Sequence, residues 1–551
     1  MPLSRHINAD EIIEKSKDHP HRKHSSSFNI SQHQSWFRDE EGAGVPKYTI
    51  PESGINSKAA YQLIHDETLL DGNPTLNLAS FVHTWMPVEG EKLIMENINK
   101  NAVDLDEYPA TQIIHNRCIS MIADLWKAPK DSKVIGTATC GSSEAIMLGG
   151  LAMKKNWQEK RKAAGKDYFH PNIVFGANAQ VALEKFARYW DVEARLVPVR
   201  AHTDFVMDPK DALQFIDEDT IGVIVIFGST YTGHFEDVKQ MSDLLDDLHS
   251  RTGLDIPIHV DAASGGFFAP FAYPNHQWAF DVPRVQSINA SGHKFGLVYA
   301  GLGWVLWKDE NMLHKDLIFE LHYLGSTEYS FTLNFSKPAY PILAQMFNFL
   351  NLGMDGYTRI SRKSLRNARL LSRALEHTYF HVLSHIHRPA NGSSLMEKVK
   401  ETVQQIEDQV EGSDDPTSYK MGLPVVSFRF KDEIKEQYPH LQQGWIQAML
   451  RTKGWIVPNY NAPKNEEKTE LLRVVVRESL SGDLVERLIV DILDITDALT
   501  SETDTSIMMG SATAYRGIHQ PDKEHGRPDS GNFGAAKGVE KMGQSGWAKQ
   551  C

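Results

Sequence analysis

Between about residue 170 and residue 310, short apolar runs alternate with amphipathic stretches, and this alternation narrows the fold more than any other feature of the chain. Asn172–Gly176, Ile221–Gly228, Ile256–Val260, Val285–Ala290 and Leu302–Trp307 read as strands, rich in β-branched and aromatic residues and bounded by turn formers. A strand that is apolar on both faces must be covered on both faces, as in a parallel sheet sandwiched by helices. The covering segments are present. Ala179–Trp190 and Val238–Ser250 carry helical periodicity, and Ser142–Trp157 predicts a helix ahead of the first strand. The expected class is α/β. Further on the pattern changes to a long helix over Tyr357–Leu375, strands at Val425–Phe430 and Leu471–Val476, and a closing helix over Leu484–Leu499. That is the outline of a smaller α+β domain, with Glu411–Pro416 as an exposed loop inside it.

The chain has 551 residues, enough for one large enzyme domain with satellites. Its net charge of −13 argues against nucleic acid as the main partner. Three widely spaced cysteines, Cys118, Cys140 and Cys551, write neither a zinc framework nor a disulfide scaffold. No apolar run approaches the ~20 residues of a membrane span, and the polar N-terminus has no signal-peptide core. The expectation is a cytoplasmic protein without membrane contact. Residues 1–55 form an expected arm with Asp18-His19-Pro20-His21-Arg22-Lys23-His24 at its centre, better read as a solvated segment than a metal site. Residues 505–551 read as a disordered tail. Its Gly546-Trp547-Ala548-Lys549 end is too thin a basic-aromatic signal for calmodulin. The remaining boundaries are expected at 56–355 for the large domain and 356–504 for the small one.

Three clusters lie beyond strand ends, where open α/β sheets bind ligands. Gly141-Ser142-Ser143-Glu144 opens a helix with small polar residues, which suits an anion but is also an ordinary helix start. Asp261 follows an apolar strand and precedes Ala262-Ala263-Ser264-Gly265-Gly266. A carboxylate there can hold a ring nitrogen protonated, and capping the next turn is an equally good account in isolation. Ser291-Gly292-His293-Lys294 follows another apolar strand. A buried lysine there would be a nucleophile toward aldehydes, the ordinary alternative being a snorkelling surface lysine. Together, an anion cradle, a strand-end Asp and a strand-end Lys are the parts that pyridoxal phosphate needs.

Several stretches then resemble one family. They include Leu70-Asp-Gly-Asn-Pro, Asn77-Leu-Ala-Ser-Phe81, Glu107-Tyr-Pro109, Lys185 to Glu193, Thr230-Tyr-Thr-Gly233, His259 to Phe271, Ser291 to Gly296 and Asn334-Phe-Ser-Lys-Pro338. Over roughly residues 55–500 the chain resembles the pyridoxal-phosphate-dependent glutamate decarboxylases of bacteria, plants and fungi. The resemblance implies a fold-type I, aspartate-aminotransferase-like architecture with a mainly parallel seven-stranded sheet. It also implies decarboxylation of L-glutamate to 4-aminobutyrate and CO2 through a Schiff base and a quinonoid. The implied assembly is at least a homodimer with sites between subunits, or a hexamer tied by the arm. Calmodulin control is not carried over.

By position, Lys294 would be the Schiff-base lysine, Asp261 the partner of the ring nitrogen, and Ala263 and Gln180 the residues on the two ring faces. Gln180, where most related decarboxylases place histidine, favours glutamate over aromatic substrates. Ser142, Ser143, Ser291 and His293 would hold the phosphate, with Ser336 reaching from the neighbouring subunit. Thr230 would contact the ring hydroxyl or the substrate. Arg473 would bind the α-carboxylate, leaving Arg477 as a strand arginine in a structural ion pair. Ser80, Phe81, Asn101 and Asp104 would surround the distal carboxylate, with a proton shared at Asp104 because two like charges cannot both ionise there cheaply. Tyr323, on an expected mobile loop, would help deliver the proton that replaces CO2. Glu184 departs from the histidine of the bacterial enzymes. His377, His381 and His385 read as surface histidines rather than metal ligands, and no metal is expected. The competing readings are another amino-acid substrate or transamination on the same fold, and a silent scaffold. Gln180 and the Ser80, Asn101 and Asp104 set argue against the former, Lys294 and Asp261 against the latter.

Overall fold

A computed structural model describes residues 48–104, 106–321, 328–390 and 415–501. Residues up to Gly72 separate from those from Asn73 onward as two units. The first holds the Ser57–Thr68 helix, whose N-cap Asn56 accepts from the Lys58 N–H. The second holds both sheets.

The larger sheet has seven strands: β1 (Ile135–Thr139), β2 (Asn172–Gly176), β3 (Glu193–Val197), β4 (Thr220–Ile226), β5 (Ile258–Asp261), β6 (Val285–Ala290) and β7 (Gly303–Trp307). Their order is β1-β7-β6-β5-β4-β2-β3. The pairs β2–β3, β2–β4, β4–β5 and β5–β6 are parallel. The expected parallel character fails only at β7, which runs antiparallel to both β6 and β1. No helix separates β6 from β7, and without a crossover a strand can only return antiparallel. β1 and β3 escaped the sequence reading: β1 carries Gly136 and two threonines, and β3 is an edge strand with exposed residues.

The central strands are buried throughout, as in β4 and β5. Each fully buried Val or Ile there contributes roughly 1.5–3 kcal/mol. The Ser142–Ala163 helix crosses this sheet. A Cβ on its Gly149 would lie 2.5 Å from the His259 ring, so glycine is what lets helix and strand approach. The Val238–Thr252 helix starts with Asp237 accepting from Gln240 N–H and stops at Gly253 in the left-handed region (φ 76°).

The second sheet is antiparallel, in the order β10 (Phe380–Val382), β11 (Val425–Phe430), β13 (Glu470–Val475), β12 (Asn459–Asn461). It has its own apolar core with the Gly482–Ser501 helix. β8 (Phe319–Leu321) and β9 (Glu328–Ser330) form a separate pair. The helix expected over Tyr357–Leu375 is the second half of Tyr340–Glu376, which bends at Gly353 (φ 57°). The His-rich stretch after it supplies β10, so its alternation was that of a strand.

Candidate active site

Asp261 ends β5 and is 5% exposed. Its Oδ1 accepts from Asn289 Nδ2 (2.9 Å) and from the Ala263 backbone N–H (3.1 Å). No described bond uses Oδ2. Asn289 on β6 in turn accepts from His259 Nε2 (2.8 Å), and His259 Nδ1 meets the Ser287 hydroxyl (2.7 Å). Burial holds the His259 imidazole below its ordinary pKa, so this chain of neutral groups fixes the carboxylate without cancelling its charge.

Lys294 lies four residues past β6 and is 5% exposed. Its Nζ is 3.2 Å from Ser264 Oγ and 5.3 Å from the centre of the Phe81 ring. The loop that carries it is braced from the Tyr340–Glu376 helix. Gln345 and Tyr357 donate to the Gly296 carbonyl (3.1 and 3.0 Å), and Asn348 donates to that of Leu297 (2.5 Å). Leu297 pays for the turn with a left-handed backbone (φ 63°).

Beside it, the Ser142–Ala163 helix presents its first turn. Gly141 is its cap (φ 156°), and Ser142 Oγ lies 2.7 Å from Ser291 Oγ. Ser142 therefore does not cap the helix; its hydroxyl joins that of Ser291. His293 Nδ1 accepts from Leu302 N–H (3.2 Å), which leaves the imidazole proton on Nε2. Burial and the neighbouring Lys294 push its pKa down to about 4, so the ring is a neutral donor. Ser143 at this helix start is exposed.

The second sheet reaches in through Arg473, on β13 and 2% exposed. Its guanidinium donates to the carbonyls of Thr230 (2.8 Å) and Ala79, and its carbon lies 5.2 Å from the centre of the Phe81 ring. No carboxylate pairs with it among the described residues, and its Nε has no partner. A buried cation without a counter-ion is costly, and an anionic ligand relieves that cost. Phe81 thus lies within reach of both Lys294 and Arg473. Thr230 accepts from Gln180 Nε2 (2.5 Å) at the start of the Val181–Tyr189 helix. Arg477 differs from the expected ion-paired arginine. It donates to the carbonyls of Val82 (2.5 Å), Pro74 (2.8 Å) and Asn77 (2.9 Å), clamping the segment that carries Ser80 and Phe81. The half-buried Ser80 hydroxyl accepts from Val82 N–H (3.1 Å).

Asn101, Asp104 and Ser336 form a second group. Asn101 Nδ2 is 3.2 Å from Ser336 Oγ and 3.5 Å from Asp104 Oδ1, and Ser336 is exposed. No described hydrogen bond joins this group to Asp261, Arg473 or Ser142. Its segment is pinned to the anion cradle through Glu144, which accepts from Leu333 and Asn334 N–H, and through Lys337, which donates to the Ala138 carbonyl (2.6 Å). Glu184 is ion-paired with Arg188 (3.7 Å). Tyr323 lies outside the described residues, as do the arm to residue 47 and the tail from residue 502.

The residues that fix the site from behind carried no assigned role in the sequence. His259 and Asn289 are polar residues in buried strands, and Gln345 and Asn348 stand three apart among the apolar residues of a helix. Polar residues at such positions are the available signal, because burial obliges them to find partners.

Residues 46–390 match the family described as the pyridoxal-dependent decarboxylase conserved domain. The chain is 46% identical over 480 residues to a glutamate decarboxylase of Saccharomyces cerevisiae, covering 83% of this chain and 80% of the yeast protein. It is 47% identical over 463 residues to the one from Solanum lycopersicum, covering 84% of each. The solved structure of a Lactobacillus brevis glutamate decarboxylase superposes with a TM-score of 0.74 at 35% identity, over 84% of this chain and 97% of the other.

Proposed function

The chain belongs to the pyridoxal-dependent decarboxylase family, and we infer that it converts L-glutamate to 4-aminobutyrate and CO2 at the site between Lys294, Asp261 and Arg473. The observation that carries this reading is the pairing across Phe81 of a buried amine with a buried guanidinium that has no counter-ion among the described residues.

The residues present fit pyridoxal 5'-phosphate. The open helix start at Gly141, the Ser142–Ser291 hydroxyl pair and the Nε2–H of His293 form a donor set for a phosphate, with Ser143 at its rim. Asp261 keeps Oδ2 open for a pyridinium N–H while its other oxygen is anchored. Ala263 is small enough to lie under one ring face, and Gln180 and Thr230 stand ready for the other face and the ring hydroxyl. When bound, the cofactor supplies an aldehyde for the amine and a conjugated ring that takes up the electron pair released with CO2.

The chain's own groups do the rest. Lys294 would hold the cofactor through its amine, and Ser264, 3.2 Å away, would orient that amine and its proton. Arg473 would bind the α-carboxylate through its planar fork and so fix the orientation of the substrate at Cα. Asp261 keeps the ring nitrogen protonated. Ser80 and Phe81 face the side chain of glutamate. Tyr323 is proposed as the donor to Cα. One proton is consumed per turnover. Product formation from glutamate at mildly acid pH tests this directly. Lys294→Ala should lose the visible absorption of lysine-bound cofactor and at least about 10^3-fold in kcat. Faster turnover of another amino acid would move the substrate assignment.

We also propose a homodimer with sites completed across the interface. Asn101, Asp104 and Ser336 bond to one another, and Ser336 is exposed, so a neighbouring copy can receive them. Mixing inactive Lys294→Ala with inactive Asp104→Ala chains should restore roughly a quarter of the activity through hybrid dimers. No recovery after verified exchange would place that group outside the site.

A further inference from the structure

Asp204, His234 and His385 come from three separate parts of the chain: the turn after Ala201–Thr203, the loop after β4, and the segment after β10. Their side-chain ligand atoms lie within 4.8 Å of one another. His234 Nε2 is 4.0 Å from Asp204 Oδ2, and His385 Nδ1 is 3.0 Å from Asp204 Oδ1. His385 Nδ1 is thus within hydrogen-bonding distance of the carboxylate, whereas His234 Nε2 has no hydrogen-bond partner among the described residues.

The protons on this cluster can be placed. Thr232 Oγ1 donates to the Asp204 carbonyl (3.3 Å), so it has a lone pair, not a hydrogen, for His234 Nδ1 at 2.9 Å. The His234 proton therefore sits on Nδ1, and Nε2 turns a bare lone pair toward a carboxylate. A buried lone pair facing an anion repels it unless a cation lies between. Metal-bound histidines are likewise oriented by a hydrogen bond from the ring nitrogen that faces away from the ion.

We propose that Asp204, His234 and His385 form a site for one borderline divalent cation, of which Zn2+ is the prototype. With bonds of about 2 Å, ligand atoms of a tetrahedral site stand about 3.3 Å apart, between the two separations seen here. Two imidazoles and a carboxylate suit zinc, and three protein ligands leave the fourth position to water. Lys420 Nζ, 3.6 Å from Asp204 Oδ2, is the competing cation. Its side chain is 40% exposed and can withdraw to water. The ion would tie the His385 segment of the four-stranded sheet to the loop that carries Thr230, whose carbonyl holds Arg473. The site is distinct from the chemistry at Lys294 and does not rest on the substrate assignment.

The test is Zn2+ titration of the chelator-treated, cofactor-loaded full-length protein against a chromophoric chelator, with melting temperature as a second readout. The parent should take up one tight Zn2+ per chain and melt higher with it. Asp204→Asn and His385→Gln, checked for retained fold and bound cofactor, should each lose at least tenfold in affinity. Lys420→Met removes the competitor and should bind Zn2+ more tightly, a gain that misfolding cannot imitate. A triple His19→Ala, His21→Ala, His24→Ala variant should bind like the parent. Loss of uptake in that arm variant but not in His385→Gln would overturn the proposal. So would the absence of tight uptake, which would leave Lys420 as the cluster's only cation.

Discussion

Where β5 and β6 end, polar groups are answered within their own sheet: Asp261 Oδ1 by Asn289 and Ala263, Asn289 by His259, His259 by Ser287. Where β13 reaches Phe81, Arg473 finds main-chain carbonyls and the rings of Phe81 and Tyr460, with no carboxylate among the described residues. One region is closed before any ligand arrives, and the other is left electrically open. Closure suits a group that must hold a single protonation state through a catalytic cycle. Openness suits a group whose partner comes and goes, since an internal salt bridge would have to break for each carboxylate bound.

The closed region is most sensitive at Asp261. Asp261→Asn keeps the shape and the Asn289 contact but removes the charge that holds a ring nitrogen protonated. We expect kcat to fall by about 10^3-fold, on the order of 4 kcal/mol, with cofactor still bound. His259→Gln tests whether the chain behind the carboxylate matters. It should give a smaller loss in kcat, with the pH profile of kcat shifted and KM unchanged. An unshifted profile would make His259 mere packing, filling the space that Gly149 leaves.

The open side is sharpened by setting Arg473 against Arg477. Both are buried, and both grip carbonyls of the 74–82 segment. Both leave Nε without a partner among the described residues, and Arg473 is the one whose guanidinium lies over the Phe81 ring. Arg473→Lys loses the planar fork and should lower kcat/KM by about 10^2-fold, roughly 2.7 kcal/mol, mostly in KM. Arg477→Lys should instead lower the urea midpoint, with kcat/KM changed only as far as Phe81 shifts. If both changes act on KM alike, the segment rather than the guanidinium recognises the carboxylate.

Many strands were legible because buried strands concentrate β-branched and apolar residues between turn formers: Asn172–Gly176, Val285–Ala290 and Val425–Phe430 match the expected bounds to the residue. β3 was not, because an edge strand is half solvent-exposed and carries no such run. The direction of β7 was not, because direction depends on whether a crossover helix intervenes, and an apolar run says nothing of that. The chemistry-bearing residues at strand ends were legible singly. The partner of a polar residue was not: Asn289 for Asp261 lies 28 positions away, and Arg473 meets Thr230 across 243. Such pairings are set by topology, which local spacing does not encode.

The smallest expected effect concerns acid, and it bears on how firmly the closed region is closed. His115 Nε2 accepts from Ala138 N–H on β1 (2.9 Å), and burial pushes its pKa down to about 3. His83 is pushed down to about 4 by burial, as is His293. Each is neutral when folded and free to take a proton near 6.5 when unfolded. Between pH 6.5 and 4 the unfolded state therefore binds more protons, and stability falls as pH falls. Glu236 acts in the opposite sense. Burial pushes its carboxyl up to about 7, so the folded state holds its proton longer and stability falls as pH rises from 4.5 to 7. The histidines outnumber it, so urea midpoints should decline from pH 6.5 to 5, by on the order of 1 kcal/mol per buried histidine. His115→Gln, whose amide oxygen can still accept from Ala138, should flatten that decline while leaving the midpoint above pH 7 nearly unchanged. A steady midpoint across the window would mean that these rings take up protons without opening the strand ends, and the closed region would then be less closed than its hydrogen bonds imply.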